Sequence, residues 1–516
     1  MKDESFIERR IVTGLIVSTV YIHQIRKGWN PELLGSRTAK QLASWCIEFY
    51  DEYKTAPGKE IESIYLRKRK GLKEKDAQSI EDILSSLSDE YERQDKFNVS
   101  YLVDQTKQYF DEKSLRWFIE EVKEHVDSGN ILEAKNAAYG FKPITNFDSK
   151  ELDLSKPEAL ERIDRAFNTV DEPVVKYANQ LGDLLNSSLI RGGFVAFMGP
   201  EKRGKTWMLL DLALKGCEQK ANVAFFQAGD MSEESWLMRV SINLTGKSNQ
   251  EKYCKTMYEP VRDCVKNQTD SCDLKERECD FGPFDGKEEK WVRNEMTREL
   301  LVETLKKNKD YKPCTNCTKY WKKPWGALWY KKINKTEPLT AAQAKKAFEK
   351  FFKGRERNFR LSTHTSGSLT VGTMESTLDM WERRDGFVPD IIITDFADIM
   401  ASEYKGEFRH QENDKWMKLR GLSQKKHALM VTATWTDANS YDKSTLSLKN
   451  FSEDKRKYGH VTAMFGLNQD PDNREKQLGL MRVNQIILRE DAFSTFTEVH
   501  ILQNLSKGRP VLASYI

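Results

Sequence analysis

Apolar residues recur at helical spacing through the first part of the chain. Ile11, Leu15, Ile16, Val20 and Tyr21 share one face, and Leu42, Cys46, Phe49 and Tyr50 share the next. The segments from Ile80 to Leu87 and from Leu115 to Val122 continue the pattern, without strand-like alternation and with little proline. Residues 1–145 are therefore expected to form a helical N-terminal domain. From 146 to 183 the chain turns polar and Asp-rich around one amphipathic piece, Pro157 to Phe167, which reads as a linker carrying a short helix. After Leu184 short apolar runs alternate with amphipathic segments, the pattern of a mainly parallel α/β sheet. Strands are expected at Phe194–Met198, Val223–Phe226, Ile391–Thr394, Leu429–Ala433 and Met481–Leu488, with Thr497–Gln503 pairing back on the last. The alternation breaks over 246–360, a stretch rich in cysteine, lysine and tryptophan with one helical piece, Ala341–Phe352. That stretch reads as an insertion within a domain spanning 184–516.

Composition narrows the class. A chain of 516 residues exceeds one core, and 31% charged with 39% hydrophobic residues describes a soluble globular protein. The net charge is only +4, so any surface for nucleic acid must be local. No apolar run approaches the ~18 residues of a membrane span, and no secretory leader is evident, so a cytoplasmic setting without membrane is expected.

The chemistry centres on Gly199, Pro200, Glu201, Lys202, Arg203, Gly204, Lys205 and Thr206, which spell the phosphate-binding loop G-x-x-x-x-G-K-[ST] between a strand-like run and a helical segment. In such a loop, backbone N–H groups at a helix N-terminus hold a polyphosphate. Lys205 reaches the outer phosphates, and the Thr206 hydroxyl takes a position on Mg²⁺. The chain is thus expected to bind a nucleoside triphosphate. The run Ile391–Thr394 ends in Asp395, suited to hold the Mg²⁺. The run Val223–Phe226 leads to Asp230, the candidate for the carboxylate that orients an attacking water, or alternatively the N-cap of the following helix.

Cysteines are bunched, five of the eight lying between Cys264 and Cys317. Cys314 and Cys317 form a CxxC pair whose thiolates suit adjacent corners of a structural Zn²⁺ site. The second pair comes from Cys264, Cys272 and Cys279; the helix-like charged run around Cys279 favours Cys264 and Cys272. Trp321, Trp325 and Trp329 nearby suit either stacking on nucleic acid or packing of a small metal-held core.

Taken in order, these segments resemble the DnaB-like replicative DNA helicases, phage-type members in particular. The resemblance rests on Gly199–Thr206, on Phe226 to Glu234, on Ile391 to Met400, on Glu412 to Leu422 leading into Leu429–Thr434, and on Met481 to Glu490. It covers most of 184–245 and 360–516. It implies a RecA-like P-loop ATPase domain behind an all-α N-terminal domain, working as a homo-hexamer with ATP between neighbouring domains and single-stranded DNA in the channel. Primase, polymerase or a helicase loader would be further partners, and the cytoplasm would be a host's if a phage encodes the chain. Arg489 matches the arginine presented to the neighbouring subunit's γ-phosphate. Lys455, Arg456, Lys457 and Gly459, with Tyr458, fall where the family places a DNA-contacting loop. Asp230 stands where the family has Glu, Trp435 where it has Gln, and Ile487 where it has Lys. Two other readings stay open: a RecA-type strand-binding ATPase without unwinding activity, and a non-catalytic ATP-binding scaffold of the replisome.

Overall fold

A computed structural model describes residues 2–85, 98–131, 172–274, 296–315, 325–450, 455–489 and 498–516, with isolated positions between these runs. The chain divides into two compact units, Met1–Val170 and Asp171–Ile516.

The first unit is helical throughout its described residues. Its helices are Lys2–Val17, Thr19–Ile25, Arg37–Tyr53, Glu60–Lys68, Glu74–Ser85 and Val99–Asp127. Ile11, Leu15, Ile16, Leu42, Cys46, Ile80 and Phe110 meet in one core. Val20 departs from the expected face and is exposed. Ser18 ends the first helix and caps the next by accepting from the Tyr21 N–H, which rotates Val20 outward and Tyr21 inward. Tyr21 then meets Thr106 at 2.6 Å. The second half of the longest helix keeps Leu115, Trp117 and Ile119 exposed. Most of the expected linker, including the stretch around Pro157–Phe167, lies outside the described residues.

The second unit carries eleven strands among the described residues: β1 (Phe194–Met198), β2 (Val223–Gln227), β3 (Met257–Cys264), β4 (Gly326–Ile333), β5 (Phe359–Thr363), β6 (Ile391–Asp395), β7 (Leu429–Thr434), β8 (Ala463–Asn468), β9 (Leu480–Leu488), β10 (Glu498–Asn504) and β11 (Arg509–Tyr515). Nine form one sheet in the order β11-β10-β9-β8-β1-β7-β6-β2-β5, while β3 and β4 pair separately. From β8 through β5 the pairings are parallel; β8 to β11 are joined antiparallel. All the expected strands are present. The sheet and its helices fit a RecA-like α/β ATPase domain.

Strand alternation builds two cores. Val195, Phe197, Phe225, Ile391, Ile393 and Val431 face the helix Lys205–Glu218 through Leu209 and Leu212. Phe194, Ala196, Phe226, Ile392 and Met430 face the helices Val371–Asp385 and Phe408–Lys425 through Leu378, Trp381 and Trp416. Burial on both faces explains why these strands read as continuous apolar runs.

Within the expected insertion, β3 and β4 carry a small core of Leu301, Tyr311, Leu328, Trp329 and Tyr330, continuous with Leu480, Leu502 and Tyr515 of the main sheet's strands. The helix Ala341–Phe352 packs Phe348, Phe351 and Phe352 on the main core. A zinc-ribbon fold is not seen among the described residues.

Candidate nucleotide-binding site

Parallel strands β1, β7, β6 and β2 end on one side of the sheet, where an open α/β sheet binds its ligand. The phosphate loop leaves β1 and turns through Lys202 and Gly204, both at positive φ (59° and 86°), into the helix that starts at Lys205. Gly204 suits that turn because a glycine adopts this backbone without strain. The loop is braced from outside. Arg203 donates to the Gln469 carbonyl, and the Glu201 N–H donates to the Tyr441 hydroxyl at 3.3 Å.

Lys205 is buried and donates to the carbonyls of Gly199 and Pro200 at 2.8 and 2.9 Å. Burial lowers its pKa to about 8, against the opposing pull of Asp398, Glu201, Asp395 and Asp230. Thr206 donates to Asp395 Oδ1 at 3.2 Å. Asp395 is fully buried, and its pKa rises to about 7, first from desolvation and then from the charge of Asp230. Its Oδ2 has no hydrogen-bond partner. A hydroxyl and a half-satisfied buried carboxylate at the mouth of a phosphate loop fit a hard cation such as Mg²⁺, which takes oxygen ligands. The second oxygen of Asp395 is otherwise a buried acceptor left unused.

Asp230 is exposed beyond the end of β2, and its charge is felt at both Asp395 and Lys205. It does not cap the next helix; the Ser232 hydroxyl does, accepting from the Ser235 N–H at 3.3 Å. Gly229, at φ 105°, leads the chain into this turn, and a Cβ there would lie 2.1 Å from the Ser366 backbone nitrogen. A cleft of about 400 Å³ lined by Gly229, Met231, Glu233, Thr363, His364 and Ser366 opens next to Asp230.

Arg489 is exposed after the last residue of β9, and its guanidinium donates to the Gly459 carbonyl at 2.5 Å. Ile487, where the resemblance expects lysine, packs against the core. Trp435 packs edge-on against Phe396 with centroids 4.8 Å apart, and its N–H donates to Asp398 Oδ2 at 2.7 Å. Asp398 had no role in the sequence reading. It sits three residues past Asp395 and accepts from Thr434 Oγ1 at 2.9 Å and Lys457 Nζ at 2.8 Å. The spacing Asp-Phe-Ala-Asp was the available signal.

One expectation is corrected here. Lys457 is not a solvent-facing cation: it is fully buried, paired with Asp398 and, at 3.2 Å, with Glu412, and lies over the Trp416 ring. Burial works to lower its pKa, and the two carboxylates overcome it, so the group is held protonated. Arg456, Tyr458 and Gly459 are exposed as expected; the side chain of Lys455 lies outside the described ones.

Among the cysteines, Cys314 is buried, and its N–H donates to Asp263 Oδ1 at 2.8 Å, as does that of Cys264. Cys272 is half-buried. Cys279 is buried, with its thiol 3.5 Å from Asn267 Oδ1. Cys317 and Trp321 lie outside the described residues, and no three metal-ligating side chains converge among the described ones. The expected zinc therefore has no assembled site there. Trp329 is buried against Tyr311, and Trp325 stacks on Lys266 at 4.4 Å. No described helix is long and apolar enough to cross a membrane.

The sheet order, the loop and the Thr206–Asp395 pair define a P-loop nucleotide-binding protein with a RecA-like domain. No protein-family model matches the chain, and no curated protein matches it. Among solved structures it is similar to an ATPase domain determined on its own, at 10% identity and a TM-score of 0.43 over 70% of this chain and 99% of that one. It is also similar to a DnaB-like replicative helicase described with its interactions with primase, at 10% identity and a TM-score of 0.43 over 98% of each chain. Likeness at this level assigns no activity.

Proposed function

We propose that the chain is an ATP-dependent replicative DNA helicase: a homo-hexameric ring that hydrolyses ATP between subunits, moves along single-stranded DNA and unwinds duplex. The observation that carries the reading is the joining of Lys205, Thr206 and Asp395 at one crevice, with Asp230 beside them and Arg489 exposed away from them. Mg²⁺ held by Thr206 and Asp395 would supply charge neutralisation on the triphosphate. Lys205 holds the outer phosphates. Asp230 orients the attacking water and accepts its proton, its exposure leaving room for that water. Arg489, on the surface after β9, completes a neighbour's site by countering charge that develops on the γ-phosphate. The exposed Leu115, Trp117 and Ile119 support self-association, which would cover them. Arg456, Tyr458 and Gly459 are the strand-contacting residues of the 455–459 turn; a cation follows phosphates and an aromatic ring stacks on a base. Primase, polymerase or a loader would join this assembly, and a zinc held by Cys264, Cys272, Cys314 and Cys317 would brace the 246–360 segment.

The test is ATP hydrolysis with and without single-stranded oligonucleotide, together with strand separation on a forked duplex. Stimulated hydrolysis with unwinding supports the helicase. Stimulated hydrolysis without unwinding would favour the RecA-type strand-binding ATPase, and nucleotide binding without hydrolysis the scaffold.

A further inference from the structure

A continuous polar path joins the 455–459 turn to the phosphate lysine. Lys457 Nζ donates to Asp398 Oδ1 at 2.8 Å. Asp398 Oδ2 accepts from the Trp435 N–H at 2.7 Å and from Thr434 Oγ1 at 2.9 Å, just where β7 ends. The Thr434 carbonyl accepts from the N–H of Gly199, the first residue of the phosphate loop, at 3.3 Å. The Gly199 carbonyl in turn accepts from Lys205 Nζ at 2.8 Å. On its other side the turn is anchored to the helix Phe408–Lys425. Lys457 pairs with Glu412 at 3.2 Å, and His460 Nε2 meets Asn413 Oδ1 at 2.9 Å. Glu412 is shared with Lys415, at 2.6 Å, whose ammonium donates to the Met400 carbonyl at 3.0 Å. The same turn also holds Arg489, through the Gly459 carbonyl.

We infer that the buried Lys457–Asp398 pair is a positioning element that fixes the end of β7 against the phosphate loop and couples contacts on the 455–459 turn to hydrolysis. This rests on the proposed strand-stimulated ATPase. Burial of an ion pair is costly unless its geometry and hydrogen bonds are complete, and a pair retained at that cost favours one arrangement of its neighbours. Lys457 and its neighbours Arg456 and Tyr458 divide the turn, one side chain going inward to the pocket and two outward to solvent. A ligand gripping the outward pair can move the inward one only by shifting Asp398, and with it the Trp435 and Thr434 groups that flank the phosphate loop. The glutamine that the resemblance expects at 435 has no counterpart side chain here, and Asp398 binds that position's backbone instead.

The test uses the full chain as Lys457→Met, Lys457→Arg, Asp398→Asn and the double variant Lys457→Met/Asp398→Asn. Hydrolysis is measured with and without oligodeoxythymidylate, next to equilibrium binding of a fluorescent ATP analogue and of the oligonucleotide. Lys457→Met is expected to lose stimulation by about tenfold or more while both affinities stay within about threefold, and Lys457→Arg to recover most of it. Asp398→Asn, which keeps an acceptor for the Trp435 N–H, should match Lys457→Met, and the double variant should be no worse than either, because one bridge is lost in each. Should Lys457→Met fail to fold, Asp398→Asn carries the same comparison. Full stimulation in the folded variants overturns the inference, and so does a parallel loss of both affinities, which a merely structural role would give. If the unaltered protein itself ignores the oligonucleotide, the proposed function fails; if only the variants behave like it, the coupling fails alone.

Discussion

Lys205→Ala separates the cost of the phosphate lysine from its use. In the nucleotide-free chain the ammonium is buried with two neutral carbonyls as its hydrogen-bond partners, and its pKa sits at about 8 instead of 10.5. That depression corresponds to a destabilisation of about 3 kcal/mol for the charged form. The sign is fixed by linkage. A depressed lysine binds protons less tightly folded than unfolded, so the cost is full below pH 8 and is relieved as pH rises from 8 toward 10.5. Removing the side chain removes that cost, so at pH 7 the variant should be as stable as the unaltered chain or more so. Binding moves the other way. A charge-assisted contact to phosphate contributes about 2–3 kcal/mol, so affinity for ATP should fall about 30- to 150-fold. At an ATP concentration near 1,000 times the original Kd, ligand stabilisation should drop from about 4 to about 1–2 kcal/mol. Denaturant unfolding with and without Mg-ATP reads both quantities. A variant that loses several kcal/mol without nucleotide yet keeps its ATP affinity would refute the assignment of Lys205.

Two further outcomes follow from buried groups elsewhere. Burial pushes the Asp211 carboxyl, which accepts from the Tyr177 hydroxyl at 3.0 Å, up to about 6. An acid raised on folding costs stability as pH climbs from its unfolded value to its folded one. The advantage of Asp211→Asn should therefore grow from about pH 4 to about pH 6 and level off above; a gap that shrinks over that window contradicts the reading. Metal analysis of the purified chain should find about one zinc per molecule, and chelation should lower its melting temperature. A zinc-free chain of unaltered stability would end that proposal.

What the sequence discloses follows the range of each interaction. A phosphate loop is built from consecutive backbone groups, so its residues are adjacent in the chain and Gly199–Thr206 can be read directly. Asp395 is legible for a related reason, as an acid ending a run that must be a doubly buried strand. Lys457 is the opposite case. Within Lys455, Arg456 and Lys457 nothing distinguishes the one residue that turns inward, because its partners Asp398 and Glu412 arrive from β6's exit and from a separate helix. Strand β3 was missed for a similar reason. It buries Glu259 and Asp263, which pattern reading takes for surface positions, yet Glu259 pairs with Lys331 at 2.9 Å, and Asp263 accepts from Tyr311, Asn267 and two backbone N–H groups. Paired buried charge disguises a core strand as an exposed one.

The central claim is that one chain grips the triphosphate and its neighbour completes the site. Lys205→Ala and Arg489→Ala should each abolish hydrolysis alone, the second with nucleotide binding retained. Mixed in equal amounts and allowed to exchange, they should recover activity, because about a quarter of the head-to-tail interfaces in a random ring would combine an intact Lys205 with an intact Arg489. A mixture that co-assembles yet stays as inactive as its components, or an Arg489→Ala chain that hydrolyses ATP at the original rate, would contradict it.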